Sequence, residues 1–230
     1  MENLTSRLQK CSLFRDIPVE TIGREILPHG KIRNVSKGEF LLVPQERLDY
    51  FGVILMGSVH TMHIFPDGVC TIIGVLEPGE VFGADLMATR SRVSPCHAMA
   101  AEPVRLLLFP VGMAAEPGMI PEEARRRIQD RLLVLLAHEN MRKEYRLAIL
   151  SRKGLRERIM TYLTMQANKR HTPTFTVPFN REEMASFLCV NRSALSHELS
   201  LMQAEGILSF RRNEFTLLHW TASEIRESEI

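Results

Sequence analysis

The most constraining feature of this sequence is a run of thirty residues, Glu122 to Ser151, that contains neither glycine nor proline. Such a run favours one uninterrupted helix, because glycine and proline are the residues that most often end helices. Pro121 suits the first helical position, and Glu122 and Glu123 suit the positive end of the helix dipole. At about 1.5 Å per residue the helix is roughly 45 Å long, too long for one small domain to cover.

An apolar stripe follows this predicted helix at spacings of four and three residues. Its members are Ile128, Leu132, Leu135 and Leu136. Two interpretations stay open. The stripe can pack against the same stripe of a second chain as a dimer seam, or it can pack on the helix's own domain.

Residues from about 30 to 110 have the opposite character. Short runs rich in Val, Ile, Phe and Leu alternate with turn signals about ten residues apart, which predicts an all-β barrel or sandwich. The signals are Lys37-Gly38, Met56-Gly57, Pro66-Asp67-Gly68, Pro78-Gly79 and Glu102-Pro103. The third is a good hairpin turn, because proline presets φ and glycine accepts a positive φ.

Composition excludes several classes of protein. The chain is 45% hydrophobic and 24% charged, as in ordinary globular domains. It has no apolar run of membrane-spanning length and no secretory signal pattern, so no membrane partner is expected. The four cysteines (Cys11, Cys70, Cys96 and Cys189) are scattered without a CxxC pair, which argues against a disulfide framework or a zinc finger. A cytoplasmic location fits best.

Charge is unevenly distributed although the net charge is only +2. Residues 1–120 carry 11 basic and 13 acidic side chains, whereas residues 151–221 carry 10 and 6. A nucleic-acid surface is therefore expected in the C-terminal part, although an excess of this size is common on other domains.

The segment from Phe179 to Leu208 predicts two short helices joined by a tight turn at Cys189-Val190-Asn191. Asn180 is a favourable N-cap that Glu183 can complete as a capping box, and Asn191 can cap the second helix. Each helix has an apolar inner face. The inward residues are Met184, Phe187 and Leu188 in the first helix and Leu195, Leu199 and Met202 in the second.

The outer face of the second helix consists of short hydrogen-bonding groups and one arginine rather than a mixture of Glu and Lys. Its residues are Arg192, Ser193, Ser196, His197 and Ser200. Side chains of these types can reach base edges and phosphates. The next residues, "ILSFRRNEFTLLHW", predict a hairpin whose Arg211 and Arg212 can contact phosphates. The pattern indicates a winged helix-turn-helix, and two ordinary packed helices are the alternative.

From about Leu13 to Leu218 the chain resembles the CRP/FNR family of bacterial transcription regulators. The N-terminal resemblance rests on "VSKGEF", "ILMGSV", "FPDGV" and "PGEVFG", and the C-terminal one on "NREEMASFLCVNRSALSHELSLMQAEGIL". The resemblance implies an α+β fold with an antiparallel β-barrel of jelly-roll type, a long dimerisation helix and a winged helix-turn-helix. The corresponding domains are residues 1–120, 121–150 and 151–230.

The resemblance also implies a homodimer that reads a near-palindromic operator in double-stranded DNA and contacts RNA polymerase if it activates. By the family pattern the DNA-binding residues are Asn180, Arg181, Asn191, Arg192, Ser193, Ser196, His197, Ser200, Arg211 and Arg212. Many members carry Glu where Ser193 stands and Arg where His197 stands, so a half-site other than the family's best-known one is expected. Cys189 occupies a turn position often held by Gly. A left-handed backbone is expected there at some cost, and a structural or a redox role stays open.

The effector segment departs from the family further. Cyclic-nucleotide binders carry Gly-Glu-Leu for the ribose and then Arg-Ser/Thr-Ala for the phosphate. Here the matching residues are Gly83, Ala84, Asp85 and Leu86, followed by Ser94, Pro95 and Cys96. The ribose-binding carboxylate and the phosphate-binding arginine are both missing, so cyclic AMP and cyclic GMP are not expected. Arg90 or Arg92 could reach in, which leaves a cyclic-nucleotide-responsive regulator as an alternative. The effector is otherwise unidentified, and no cofactor is assigned.

Other readings are weaker. The family's iron–sulfur sensor uses a cluster of N-terminal cysteines, whereas Cys11 stands alone. Haem binding would need His60, His63 or His97, and the first two cannot share a strand face. No metal site is predicted. A module whose C-terminal domain binds protein would want aromatic or Leu anchors on the second helix. No catalytic motif is present, so the chain is not expected to be an enzyme.

Overall fold

The computed structural model describes residues 4–221, and the chain divides into two compact units between Glu139 and Asn140. The first unit begins with α1 (Leu4–Lys10) and α2 (Val19–Thr21). Helix α2 continues into a π-helical turn at Ile22–Ile26 and a 3-10 turn at Leu27–His29. No described helix is both long enough and apolar enough to cross a membrane.

Eight strands then form two four-stranded antiparallel sheets, as the predicted barrel-type fold requires. Their orders are β1-β8-β3-β6 and β2-β7-β4-β5. The strands are β1 (Lys31–Val35), β2 (Phe40–Leu42), β3 (Tyr50–Met56), β4 (Val59–Ile64), β5 (Cys70–Leu76), β6 (Val81–Phe82), β7 (His97–Ala100) and β8 (Val104–Pro110). Two short helices, α3 (Ala84–Met87) and α4 (Gly112–Ala115), lie between and after them.

The predicted turns have the expected geometry. At the β4–β5 hairpin the amide of Gly68 donates to the carbonyl of Phe65, and Gly68 has φ +83°. Gly57 is required for a different reason. A Cβ atom at Gly57 would lie 2.3 Å from the carbonyl oxygen of Pro103, so only glycine fits the turn between β3 and β4.

The core of this unit lies between the sheets and under the N-terminal helices. Phe14, Phe51 and Phe109 are fully buried, and the ring of Phe109 packs against both others at centroid distances of 5.6 Å. Aromatic side chains bury large apolar areas, so this trio fastens the N-terminal segment to the sheet that carries β3 and β8.

The predicted long helix is confirmed as a single element, α5 (Glu122–Leu150). Glu122 in its first turn also forms ion pairs that were not predicted from the sequence. Arg125 donates to Glu122 at 2.7 Å and Arg126 does so at 3.1 Å, and the hydrogen bond from Arg125 is the main reason that the pKa of Glu122 is lowered. Such exposed pairs contribute little to stability.

The second unit contains three further helices and a small sheet. The helices are α6 (Leu155–Arg170), α7 (Arg181–Phe187) and α8 (Arg192–Ala204), and the strands are β9 (Thr174–Thr176), β10 (Leu208–Arg211) and β11 (Glu214–Leu217). The sheet has the order β10-β11-β9. Its core contains Ile159 and Leu163 of α6 with Leu195, Leu199 and Met202 of α8, all fully buried. The inward face predicted for α8 is therefore confirmed.

Candidate nucleic-acid interface

The first helix of the predicted reading motif starts with a complete capping box. The Asn180 side-chain oxygen accepts from the amides of Glu182 at 2.9 Å and Glu183 at 3.0 Å. The Glu183 carboxylate accepts from the Asn180 amide at 2.7 Å. These bonds satisfy amides that the helix itself cannot pair. The Asn180 side-chain oxygen, predicted to bind DNA, is thus used to hold the start of α7.

Arg181 begins α7 as expected, and its guanidinium joins this helix to the β10–β11 hairpin. The guanidinium carbon lies 4.8 Å from the ring centroid of Phe210 and 5.7 Å from that of Phe215. One Nη donates to the carbonyl of Arg212 at 3.2 Å. Burial lowers the pKa of Arg181, but an arginine stays charged. Local sequence patterns did not predict these contacts, because the hydrogen bond joins residues 31 positions apart.

The turn between the two helices is centred on Cys189, which has φ +55°. This φ value confirms the predicted left-handed geometry, which is unusual at a residue other than glycine. The amide of Val190 donates to the carbonyl of Ala185 at 3.0 Å and closes the turn. The Cys189 side chain is exposed, and an Nη of Arg146 lies 3.9 Å from its sulfur. Arg146 also lies over the ring of Phe187 at 4.7 Å, and burial lowers its pKa.

Helix α8 is held at its start by Asn191, whose side-chain oxygen accepts from the Ala194 amide at 2.8 Å and the Ser193 hydroxyl at 3.0 Å. The Ser200 hydroxyl donates to the carbonyl of Ser196 at 2.9 Å. Arg192 and His197 are exposed on the outer face, as is Ser193, whereas Ser196 is half-buried. The residues predicted to read bases are therefore brought onto one side of one helix.

The predicted wing is formed by β10 and β11, which pair in register from Leu208↔Leu217 to Arg211↔Glu214. Arg212 and Asn213 form the two-residue turn, and Arg212 has φ +58°. Arg211 and Arg212 are both exposed. The side-chain oxygen of Gln203, near the end of α8, accepts from the Phe210 amide at 3.3 Å and ties the wing to that helix.

Ile128, one of the four residues of the predicted dimer stripe on α5, needs a correction. Ile128 is 0% exposed and belongs to the core of its own unit, with Leu132 and Leu135 packed against that core. Ile128 therefore cannot form a seam with another chain, and periodicity alone could not distinguish the two kinds of packing. Other apolar side chains of α5 are exposed instead: Leu133 (69%), Val134 (42%), Met141 (38%), Tyr145 and Leu147. Leu136 is half-buried.

The first part of the predicted effector segment, Gly83 to Leu86, lies at the start of α3. The second part, Ser94 to Cys96, comes directly before β7. Ala84 and Leu86 are buried, whereas Asp85 is exposed and accepts from the amide of Leu86 at 2.9 Å. Asp85 therefore points away from the buried side of the segment. Gly83 has φ +79°, and a Cβ atom there would lie 2.5 Å from a methyl carbon of Leu48. The Leu48 side chain, itself buried, packs directly on Gly83.

Ser94 is buried and its hydroxyl is used locally. It donates to the carbonyl of Cys96 at 2.7 Å and accepts from the Cys96 amide at 3.3 Å. Its backbone pairs with Gln45 and Glu46 at 3.0 Å each, and Leu48 donates to the carbonyl of Arg92 at 2.8 Å. Pro95 is exposed. Backbone hydrogen bonds thus join residues 92–94 to residues 45–48. The hydroxyl of Ser94 and the carboxylate of Asp85 are both used in local hydrogen bonds.

The remaining candidate ligands are dispersed. His60 is buried and His63 is exposed on β4, as expected for two residues of opposite strand orientation. The Nδ1 atom of His97 is buried without a hydrogen-bond partner among the described residues. Burial raises the pKa of the Cys11 thiol to about 11. Within residues 4–221 no group of three or more His, Cys, Asp or Glu side chains is placed to hold a metal ion.

A barrel-type domain followed by a long helix and a winged helix-turn-helix defines a two-domain transcription regulator. Two family models agree with this class and together cover more than half of the chain. The cyclic nucleotide-binding domain matches residues 32–113, and the Crp-like helix-turn-helix domain matches residues 157–222. The chain belongs to the CRP/FNR family.

Relatives of known class give the same assignment. Transcriptional activator protein FnrA of Stutzerimonas stutzeri is 24% identical over 81% of this chain and 76% of FnrA. Transcriptional activator protein anr of Pseudomonas aeruginosa is 25% identical over 84% of this chain and 78% of anr. These relatives are transcription regulators rather than enzymes, in agreement with the sequence.

Solved structures show the same fold. FixK2 of Bradyrhizobium japonicum matches with a TM-score of 0.65 at 21% identity, covering 84% of this chain and 99% of FixK2. The c-di-GMP-responsive global regulator CLP of Xanthomonas campestris matches with a TM-score of 0.71 at 17% identity, covering 88% of this chain and 100% of CLP.

Proposed function

We propose that this regulator binds double-stranded DNA in a sequence-specific manner through α8 and the β10–β11 wing. The observation that carries the proposal is the outer face of α8. Arg192, Ser193 and His197 are exposed there, and Glu198, the acidic residue within α8, is turned aside and paired with Arg156 at 2.6 Å. A face without free carboxylates that presents arginine, serine and histidine suits base edges and phosphates.

The wing supports the same function with sequence-independent contacts. Arg211 and Arg212 are exposed at the turn of the hairpin. The half-buried guanidinium of Arg181 packs on the Phe210 ring of the same hairpin. Exposed arginines that neutralise phosphates strengthen binding to any DNA sequence and make it dependent on salt. We therefore assign base selection to α8 and general affinity to the wing.

The proposed regulator acts as a homodimer, and the seam is formed by exposed apolar residues on one side of α5. Val134 and Met141 lie one heptad apart, and Tyr145 follows Met141 by four residues on the same side. This side is roughly opposite Leu132, because Val134 follows Leu132 by two residues, which is about 200° around the helix. A heptad of exposed apolar side chains is typical of helix pairing, and a two-fold dimer reads a near-palindrome. As an activator it would contact RNA polymerase.

For the barrel we propose an effector other than cyclic AMP or cyclic GMP, or no effector. Ala84 stands where a ribose-binding carboxylate would be needed, Leu48 packs on Gly83, and the Ser94 hydroxyl is bonded to Cys96. A buried phosphate without a cation is costly. The match to the cyclic nucleotide-binding domain favours the second candidate, a cyclic-nucleotide-responsive regulator.

The DNA proposal is tested by selection from a random duplex library with the full chain, followed by binding measurements on the enriched sequence. We expect an enriched near-palindrome that binds at least about a thousandfold more tightly than scrambled DNA, in a salt-dependent manner. Enrichment of no sequence under any ligand condition would overturn the proposal, and a protein partner for α8 would become the better explanation.

The dimer proposal is tested by light scattering on Met141→Glu. A buried charge in the seam should convert the dimer to a monomer and abolish tight binding to the palindrome. Lys143→Glu is the matched control, because Lys143 is exposed on the opposite side of α5. A Met141→Glu protein that stays dimeric would exclude this seam.

For the barrel, a rise in melting temperature with millimolar cyclic AMP or cyclic GMP would favour the second candidate.

A further inference from the structure

Arg156, which lies outside the helix-turn-helix formed by α7 and α8, binds α8 at two positions. Arg156, the second residue of α6, donates through Nε to Glu198 at 2.6 Å and through both terminal nitrogens to Glu205, at 2.7 and 2.9 Å. Glu198 lies in the middle of α8, and Glu205 is its C-cap residue. The two carboxylates are seven residues apart, so they lie on the same side of the helix about 10 Å apart along its axis.

We propose that Arg156 is a positioning residue that sets the rotation of α8 about its own axis and thereby the base preference of His197 and Ser193. This inference rests on the proposed DNA-binding function.

The buried face of α8 sets which side of the helix faces the core, and Gln203 bonds the end of the helix to the wing. The contacts of Leu195, Leu199 and Met202 are apolar and less directional than hydrogen bonds. A guanidinium fork on a carboxylate fixes both direction and distance. Arg156 thus adds a charge-assisted, directional restraint along the side of α8.

A small rotation matters at the outer face. Side chains there lie about 5–6 Å from the helix axis, so a roll of about 10° moves them by about 1 Å. Hydrogen bonds to base edges need donor–acceptor distances of about 2.7–3.2 Å, and a displacement of that size breaks them. Contacts to phosphates made by long, flexible side chains are less sensitive, which separates a loss of specificity from a loss of affinity.

The two partners also explain why an acidic residue is tolerated next to His197. Glu198 is only 21% exposed as a side chain and is held by Arg156. The hydrogen bond from Arg156 also lowers the pKa of Glu205. Arg156 therefore both neutralises the carboxylates of Glu198 and Glu205 and holds them in place.

The test compares Arg156→Lys with the wild-type chain on the library-selected duplex and on a scrambled duplex. Lysine keeps the charge but cannot form the fork. We expect the ratio of selected to scrambled affinity to fall about tenfold, as for one mismatched base pair, with scrambled binding and its salt dependence unchanged within about twofold. Glu205→Gln, which breaks the fork from the other side, should lower the same ratio. Arg152→Lys, at an exposed arginine just before α6, is the control and should change neither.

Melting temperatures without DNA separate positioning from simple stabilisation. A lowered ratio in a folded Arg156→Lys protein supports the proposal. A lowered melting temperature with an unchanged ratio makes Arg156 a structural ion pair and overturns it. If the wild-type chain selects no sequence, the DNA-binding function fails together with this inference. If the wild type selects and Arg156→Lys discriminates equally well, only the inference fails.

Discussion

The effector segment and the outer face of α8 differ in whether their polar side chains are already hydrogen-bonded within the protein. In the effector segment Ser94 is bonded to Cys96, and Asp85 is bonded to the start of its own short helix. On α8 the side chains of Arg192 and His197 are exposed and, in the part of the chain that the structure describes, form no hydrogen bond or ion pair. Buried polar groups are normally satisfied, so groups left open on a surface are those available to a ligand. The exposed side chains of Arg192 and His197 therefore support the proposed DNA binding through α8.

Cysteine reactivity gives the largest expected contrast between closed and open positions. Cys11 is fully buried and burial raises its pKa to about 11, so only about one molecule in a thousand carries its thiolate at pH 8. Cys189 is exposed in the turn before α8. Timed alkylation with mass spectrometry should modify Cys189 at least about a hundredfold faster than Cys11. Comparable rates in the native protein would contradict the burial of Cys11.

Two substitutions in the second unit should separate the contributions to DNA binding. His197→Ala should reduce discrimination at one base pair about tenfold, because it removes a group that we propose to contact base edges. Arg211→Ala should weaken binding to selected and scrambled duplexes by the same factor and lower the salt dependence by about one charge. Fluorescence anisotropy on both duplexes measures each effect. Equal effects of both substitutions on all sequences would refute this division between α8 and the wing.

A matched pair of serine substitutions tests the comparison directly. Ser94→Ala removes the buried hydroxyl that bonds the carbonyl and the amide of Cys96 and should cost about 1–2 kcal/mol of stability, without changing affinity for DNA. Ser193→Ala removes an exposed hydroxyl that donates to Asn191, so it should cost less than about 0.5 kcal/mol of stability, and it should reduce affinity for the selected duplex about fivefold. Calorimetry and anisotropy on both variants decide the matter. A DNA-binding defect in folded Ser94→Ala would mean that the barrel segment communicates with α8.

The smallest effect concerns pH. The pKa of Glu205 is lowered in the folded chain by its hydrogen bonds from Arg156. Its contribution to stability is therefore present above the ordinary glutamate pKa of about 4.3 and is lost as the pH falls through the lowered folded value. The melting temperature of the wild type should exceed that of Glu205→Gln slightly at pH 7, and the difference should vanish on acidification. A difference that persists at pH 2 would have another origin.

Local chemistry made much of the fold predictable. Asn180 and Glu183, or Pro66 and Gly68, act within a few residues of one another, so their cap and turn are legible in the sequence. The contacts that the sequence did not reveal are distant. Arg156 meets partners 42 and 49 residues away, and Arg181 reaches Arg212 across 31 residues. The stripe that begins at Ile128 was predicted from the helical spacing of its apolar residues. That spacing does not indicate whether the stripe packs on its own domain or on a second chain.

The way α8 is anchored has a consequence for how this protein can evolve. The helix is held by Asn191 at its start, by Leu195, Leu199 and Met202 beneath, and by Arg156 at its side. None of these anchors lies on the face that carries Arg192 and His197. Mutations on that face therefore cost little in folding, because exposed substitutions usually alter stability by less than about 0.5 kcal/mol. With the proposed DNA binding, operator preference could thus drift between descendants of this chain while the scaffold stays fixed.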